Sequence, residues 1–121
     1  MIRIAIVGSR DFPDMEAVKD YLEKLKLYVP AFTIITGGAK GVDQFAEDWA
    51  NRNGIDCEVI RPVDPADKFS YLLRNVEIIT KADQIIAFWD GKSKGTKFVL
   101  DYAKARSRFI RVINYSKRCY E

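Results

Sequence analysis

Seven glycines punctuate this chain, and six of them sit just beyond short apolar runs: Gly8, then Gly37, Gly38 and Gly41, then Gly91 and Gly95. Glycine permits φ > 0 and lets backbone N–H groups come close to a ligand. Where such a loop leads into a helix, the helix start adds unpaired N–H groups and the positive end of its dipole. That chemistry holds anions, and three such loops on one edge point to a phosphate or a nucleotide. Neighbouring polar side chains could complete the site. Ser9 and Arg10 directly follow the first run, and a guanidinium can grip a phosphate through two hydrogen bonds or simply be a solvated turn residue. Asp43 could meet a ribose hydroxyl or stabilise a helix start, and Asp90 is a second candidate for ribose. Ser93 and Thr96 could contact phosphate or cap a helix. Trp89 could stack on a base or pack into the core.

The usual nucleotide fingerprints are absent. Gly37-Gly38-Ala39-Lys40-Gly41 is not closed by the Gly-Lys-Ser/Thr of a P-loop, and no loop reads GxGxxG. Walker-type ATP hydrolysis and standard NAD binding are thus unsupported. The chain has no histidine, which removes Ser-His-Asp and Cys-His dyads, His-based metal sites and His acid–base chemistry. Its two cysteines, Cys57 and Cys119, form no CxxC, so no cysteine metal site is expected; of one disulfide or two reduced thiols, the reduced thiols of a cytoplasmic protein are the favoured reading. The apolar opening is too short for a signal peptide, and no run approaches a membrane span.

With 121 residues, 48% hydrophobic and 31% charged, the chain reads as one soluble domain over residues 1–121. Such a chain buries roughly two thirds of its unfolded surface. The net charge of +3 is unevenly placed. Lys92 to Arg118 holds nine basic residues and one acid, Asp101, while the first 91 residues hold 11 basic and 15 acidic ones. The basic third could face a polyanion or be a solvated helix and tail. So small a net charge argues against a dedicated nucleic-acid binder.

The elements that must position these residues alternate. Ile2–Val7 reads as a strand ending at Gly8. Asp14 can cap a helix with Val18, Tyr21, Leu22 and Leu25 on one face, closed by Pro30. A second strand, Phe32–Thr36, precedes a helix carrying Val42, Phe45, Ala46, Trp49 and Ala50, with Gly54 at its C-terminal cap. Asp56–Ile60 reads as a strand near an edge, and residues 61–67 as a loop. A third helix is expected to bury Phe69, Leu72, Leu73, Val76 and Ile79, which leaves Arg74 and Asn75 as ligand contacts or surface residues. Asp83–Phe88 is a fourth strand, a fourth helix runs from about Gly95-Thr96 to Arg106, and Phe109–Ile113 is a fifth strand before a basic tail. Strands separated by helices predict a mainly parallel five-stranded sheet with helices on both faces, a Rossmann-like α/β domain of three αβα layers. Its strand-to-helix loops share one edge, where open α/β sheets bind ligands.

Together these motifs resemble the YspA/YpsA-related branch of the SLOG superfamily. The resemblance rests on Val7-Gly8-Ser9-Arg10-Asp11-Phe12, Thr36-Gly37-Gly38-Ala39-Lys40-Gly41-Val42-Asp43, Pro65-Ala66-Asp67, Arg74-Asn75, and Ala82-Asp83 with Ile86 to Thr96. It covers nearly the whole chain in order. It implies a Rossmann-like fold and a nucleotide or nucleotide-derived ligand of ADP-ribose type, held by a sensor or binding domain of bacterial or phage origin. It also implies a homodimer, since relatives pair through helices. Related branches include phosphoribohydrolases and binders of single-stranded DNA. The phosphoribohydrolase motif would place its catalytic glutamate at Val99, and Asn75 stands in place of its lysine. Asp101 lies two positions on and points elsewhere on a helix. The expected ligand contacts are therefore Gly8, Ser9, Arg10, Gly37, Gly38, Ala39, Gly41, Asp43, Arg74, Asn75, Asp90, Gly91, Ser93, Gly95 and Thr96. No cofactor beyond that ligand is expected. Hydrolysis would need Asp11, Asp43 or Asp90 as its carboxylate.

Overall fold

A computed structural model describes residues 1–114. Cys119 and the basic tail lie outside the described residues. The elements are β1 (Ile2–Gly8), α1 (Met15–Tyr28), β2 (Phe32–Thr36), α2 (Val42–Arg52), β3 (Cys57–Val59), α3 (Lys68–Lys81), β4 (Gln84–Trp89), α4 (Lys94–Ala105) and β5 (Phe109–Asn114). Five strands form one sheet in the order β3-β2-β1-β4-β5, with every pairing parallel. Asp56–Ile60 contracts to a three-residue edge strand. Gly8 closes β1 rather than opening a loop, and Gly95 lies inside the first turn of α4.

Parallel strands covered on both faces should read as unbroken apolar runs. Ile4–Val7 and Ile85–Phe88 do, and all eight residues are buried. Alternate residues serve opposite layers. Ile4, Ile6, Ile34, Ile86 and Phe88 pack under α1 and α2 with Val18, Leu22, Ala46 and Trp49. Ala5, Val7, Ile35, Ile85 and Ala87 pack under α3 and α4 with Ile78, Ile79, Leu100 and Ala103. Helix starts are set by side chains that accept from first-turn amides: Asp14 from Ala17, Asp67 from Phe69 and Ser93 from Thr96. No helix among the described residues is long and apolar enough to cross a membrane.

One expectation is overturned. Of the expected apolar stripe the third helix buries Ile79 and half-buries Val76, but Phe69 is 61% and Leu73 54% exposed, and Leu72 is exposed too. Beside Ile79 its inner face carries Ser70, Asn75 and Ile78 in place of the others. The physical reason is position. The first half of α3 borders a polar cleft and only its end reaches the sheet, so apolar periodicity selects the wrong face. Leu73→Lys is therefore expected to shift stability by less than about 0.5 kcal/mol, and Ile78→Ala to cost about 2–4 kcal/mol. Urea denaturation of the two variants checks the assignment.

Candidate functional site

The loops after β1 and β4 leave the sheet toward opposite faces, one to α1 and one to α4. Between such neighbouring strands a crevice opens at their carboxyl ends. Here it is a cleft of about 610 Å³, within the range of small-molecule sites.

Its floor is a cross-link between the two loops. Ser9, almost fully buried, donates its amide to the Phe88 carbonyl at 3.0 Å, and its hydroxyl accepts from the Asp90 amide at 3.1 Å. Asp90 in turn folds its own loop, with Oδ1 accepting from the Lys92 and Ser93 amides at 2.8 Å each. Partial burial opposes its ionisation, but the hydrogen bonds from Ser93, Lys92 and Ser9 outweigh it and hold the carboxyl below the ordinary range. Trp89 donates its indole N–H to the Ser93 carbonyl and packs against the apolar layer under α3 and α4. Of its two readings, packing is the one observed.

The opposite wall is the loop after β2. Gly41 adopts φ +83°, and a Cβ there would lie 2.5 Å from the Arg10 carbonyl oxygen, so the loops after β1 and β2 touch through a missing side chain. Asp43 begins α2 and is only 4% exposed. Its Oδ2 accepts from the Gly37 amide at 3.0 Å and the Ala39 amide at 3.5 Å. Two amides of the glycine loop thus already hold an anion, supplied by the protein. Asp43 Oδ1 and Thr36 Oγ1 are buried without a hydrogen-bond partner. Burial pushes the Asp43 carboxyl up to about 6; Arg74, the Ala39 and Gly37 amides and the nearby Thr36 hydroxyl pull the other way.

Arg74 reaches this wall from α3. Its Nη1 donates to the Gly37 carbonyl, its Nε donates to Asn75 Oδ1 at 2.8 Å, and its guanidinium lies 5.5 Å from the Tyr71 ring centre. Burial works against its charge, and Asp43 opposes that effect. Asn75 is 8% exposed, so this pair is not a surface feature. Arg61, not anticipated from the sequence, donates to the Gly38 carbonyl at 3.3 Å and pairs with Glu47 at 3.8 Å.

The third wall is the start of α4. Ser93 caps it, and Thr96 is buried beside it. Among the described residues, the Lys94 and Gly95 amides at the helix start have no protein acceptor.

Of the expected contacts, Gly8, Arg10, Ala39, Asp43, Arg74, Asn75, Asp90, Ser93, Gly95 and Thr96 line the cleft. Ser9, Gly37, Gly38, Gly41 and Gly91 do not; the first four shape its walls from behind. The three candidate carboxylates, Asp11, Asp43 and Asp90, all line it. Tyr71, Leu72, Ile78 and Lys92 also line it, and nothing in their spacing marked them. Val99, in the place of the hydrolase glutamate, is a buried lining residue, and Asp101 points away to pair with Lys97 at 2.8 Å.

Comparison with known proteins follows the same lines. Residues 2–63 match the family described as YspA, cpYpsA-related SLOG. The Gene 61 protein of Mycobacterium phage D29 is 32% identical over 128 residues, spanning 98% of this chain and 99% of that protein. Two solved structures share the fold. DNA processing protein A from Streptococcus pneumoniae gives a TM-score of 0.79 at 19% identity, over 93% of this chain and 50% of that one. DNA processing protein A from Helicobacter pylori, described with a single-stranded DNA binding mode, gives 0.71 at 21% identity, over 92% of this chain and 64% of that one. The chain thus spans half to two thirds of those DNA processing proteins.

Proposed function

Because the chain belongs to the YspA, cpYpsA-related SLOG family, we propose that its cleft binds a nucleotide or nucleotide-derived ligand of ADP-ribose type, as a binding or sensor domain. The observation that carries this reading is the convergence of Arg10, Arg74, Lys92 and the unpaired amides of the α4 start on one cleft. An anion fits against that wall. The wall after β2 is the less favourable one for phosphate, because Asp43 already occupies its Gly37 and Ala39 amides. Tyr71 and Leu72 offer an apolar surface in the same cleft for the base or sugar of such a ligand. Binding is favoured over cleavage: Val99 offers no proton acceptor where the related phosphoribohydrolases use glutamate.

Arg10 is exposed, so its removal leaves the core untouched. Losing one charge-assisted contact of about 1.5–3 kcal/mol corresponds to roughly a 10- to 100-fold loss of affinity. Arg10→Ala is expected to weaken ADP-ribose binding by that factor in calorimetric titration, with unchanged thermal unfolding in the absence of ligand. No binding of ADP-ribose, AMP or inorganic phosphate to the wild-type chain at millimolar concentration would remove this reading.

A second reading is single-stranded DNA binding. It is favoured by the shared fold with the Helicobacter pylori protein and by Lys92, Lys94, Lys97, Lys104 and Arg106 along and beside α4. It predicts an affinity for an oligonucleotide that falls steeply with salt, whereas a pocketed small ligand responds weakly.

A further inference from the structure

Among the described residues Asp43 is the only ionisable side chain that is fully buried, and it borders the cleft that is read above as an anion site. We propose that the cleft takes up its anionic ligand together with one proton, which Asp43 carries. The inference rests on the binding reading above.

Two unpartnered oxygen atoms, Asp43 Oδ1 and Thr36 Oγ1, are buried near one another. While Asp43 is ionised, the nearby Thr36 hydroxyl favours the charge, although no hydrogen bond reaches Oδ1. A proton on Oδ1 makes that oxygen a donor near Thr36 Oγ1, an acceptor as well as a donor, and leaves Oδ2 in its amide contacts with Gly37 and Ala39. The carboxyl is thus built to exist in either state, and its balance is set by its charged neighbours.

Those neighbours are few. Arg74 from α3 is the compensating cation. From β3, Cys57 feels the carboxylate, but burial raises its own pKa to about 11 and keeps it neutral near pH 7. Glu47, one turn along α2, acts on Cys57 and pairs with Arg61. Arg10 acts on Arg74. Across the cleft stand Lys92 and the ionised Asp90, with the start of α4.

A ligand phosphate drawn to Arg10 and Arg74 adds a negative charge on the open side of Asp43. It also shares the field of the Arg74 guanidinium, which otherwise favours the carboxylate. Both effects favour the protonated acid. Ligand and proton therefore bind with positive coupling, and each raises the affinity for the other.

The test is calorimetric titration of the wild-type chain with ADP-ribose at pH 7, in two buffers of different ionisation enthalpy. The diphosphate of this probe does not titrate near neutral pH. The expected result is uptake of between half and one proton per ligand, with wild-type affinity falling about tenfold or more from pH 6 to pH 8. Asp43→Asn, which mimics the protonated acid, is expected to take up no proton, to bind independently of pH, and to bind more tightly than wild type at pH 8. Saturable binding with equal heats in the two buffers overturns the proton coupling and leaves the binding reading intact. No binding by either protein at either pH overturns both.

Discussion

Gly41→Ala is expected to destabilise the chain by about 2–5 kcal/mol and to abolish ligand binding, while Gly91→Ala should cost only about 1–2 kcal/mol. The two glycines share nearly the same positive φ, +83° and +84°. A non-glycine residue in that region carries about 1–2 kcal/mol of local strain at either position. Their surroundings differ. A Cβ at Gly91 meets nothing within 4 Å, whereas one at Gly41 would stand 2.5 Å from the Arg10 carbonyl oxygen and 3.1 Å from its carbon. Backbone cannot yield as a flexible side chain does, and forced overlap adds about 1–3 kcal/mol. Relief requires the loop after β1 to move, and that loop carries Arg10. Chemical denaturation of both variants measures the difference. Equal losses would mean that the two loops do not press on one another.

Much of this arrangement was legible from local pattern. The strands appear as apolar runs because parallel strands buried on both faces leave no polar residues to interrupt them. Asp14, Gly54 and the glycine loops mark helix ends because caps and turns demand particular residue types. The Arg74-Asn75 pair and Asp43 were legible as candidates, but their convergence on the backbone of Gly37 was not. Arg74 meets the Gly37 carbonyl across 37 positions, and no periodicity encodes such a meeting. The error on α3 has the same origin. A helix beside a binding cleft turns polar groups inward, and a rule that sends apolar residues to the core then reads the helix backwards. Tyr71, Leu72 and Lys92 were missed because a lining residue needs no motif, only a place on the rim.

The second large effect concerns pH. Asp43→Asn is expected to stabilise the ligand-free protein at pH 7.5 by about 2–3 kcal/mol and to have little effect at pH 3.5. The sign follows from linkage. Burial raises the folded carboxyl from 3.8 to about 6, so between these values the folded state binds more protons than the unfolded one. The contribution of Asp43 to stability is then fully present below about pH 3.8 and declines as pH rises through 6. At 1.36 kcal/mol per pKa unit, the loss approaches 3 kcal/mol. Asparagine keeps the shape of the neutral acid and removes that slope. Asp90 has the opposite tendency, its folded value being lowered, so it contributes stability that is lost on acidification. That contribution is common to both proteins and cancels in their difference. Thermal unfolding of the two proteins across pH 3.5–8 measures it. Parallel profiles would mean that the carboxyl titrates alike in the folded and unfolded chain, and a less stable variant at pH 7.5 that the ionised carboxylate is needed to hold the loop after β2.

The cross-link between Ser9 and the Asp90 amide joins residues 81 positions apart. Its consequence lies in time as well as in space. Closing so long a loop must wait until β1 and β4 have come into register, and the entropy of that closure is met by the sheet as a whole. A chain with only β1, α1, β2 and α2 in place would hold Asp43 without Arg74 and would lack the α4 wall. The capacity to hold a ligand is therefore among the last properties the folding chain acquires. By the same token, ligand binding draws on the folding equilibrium of the entire sheet and not on the ordering of one loop.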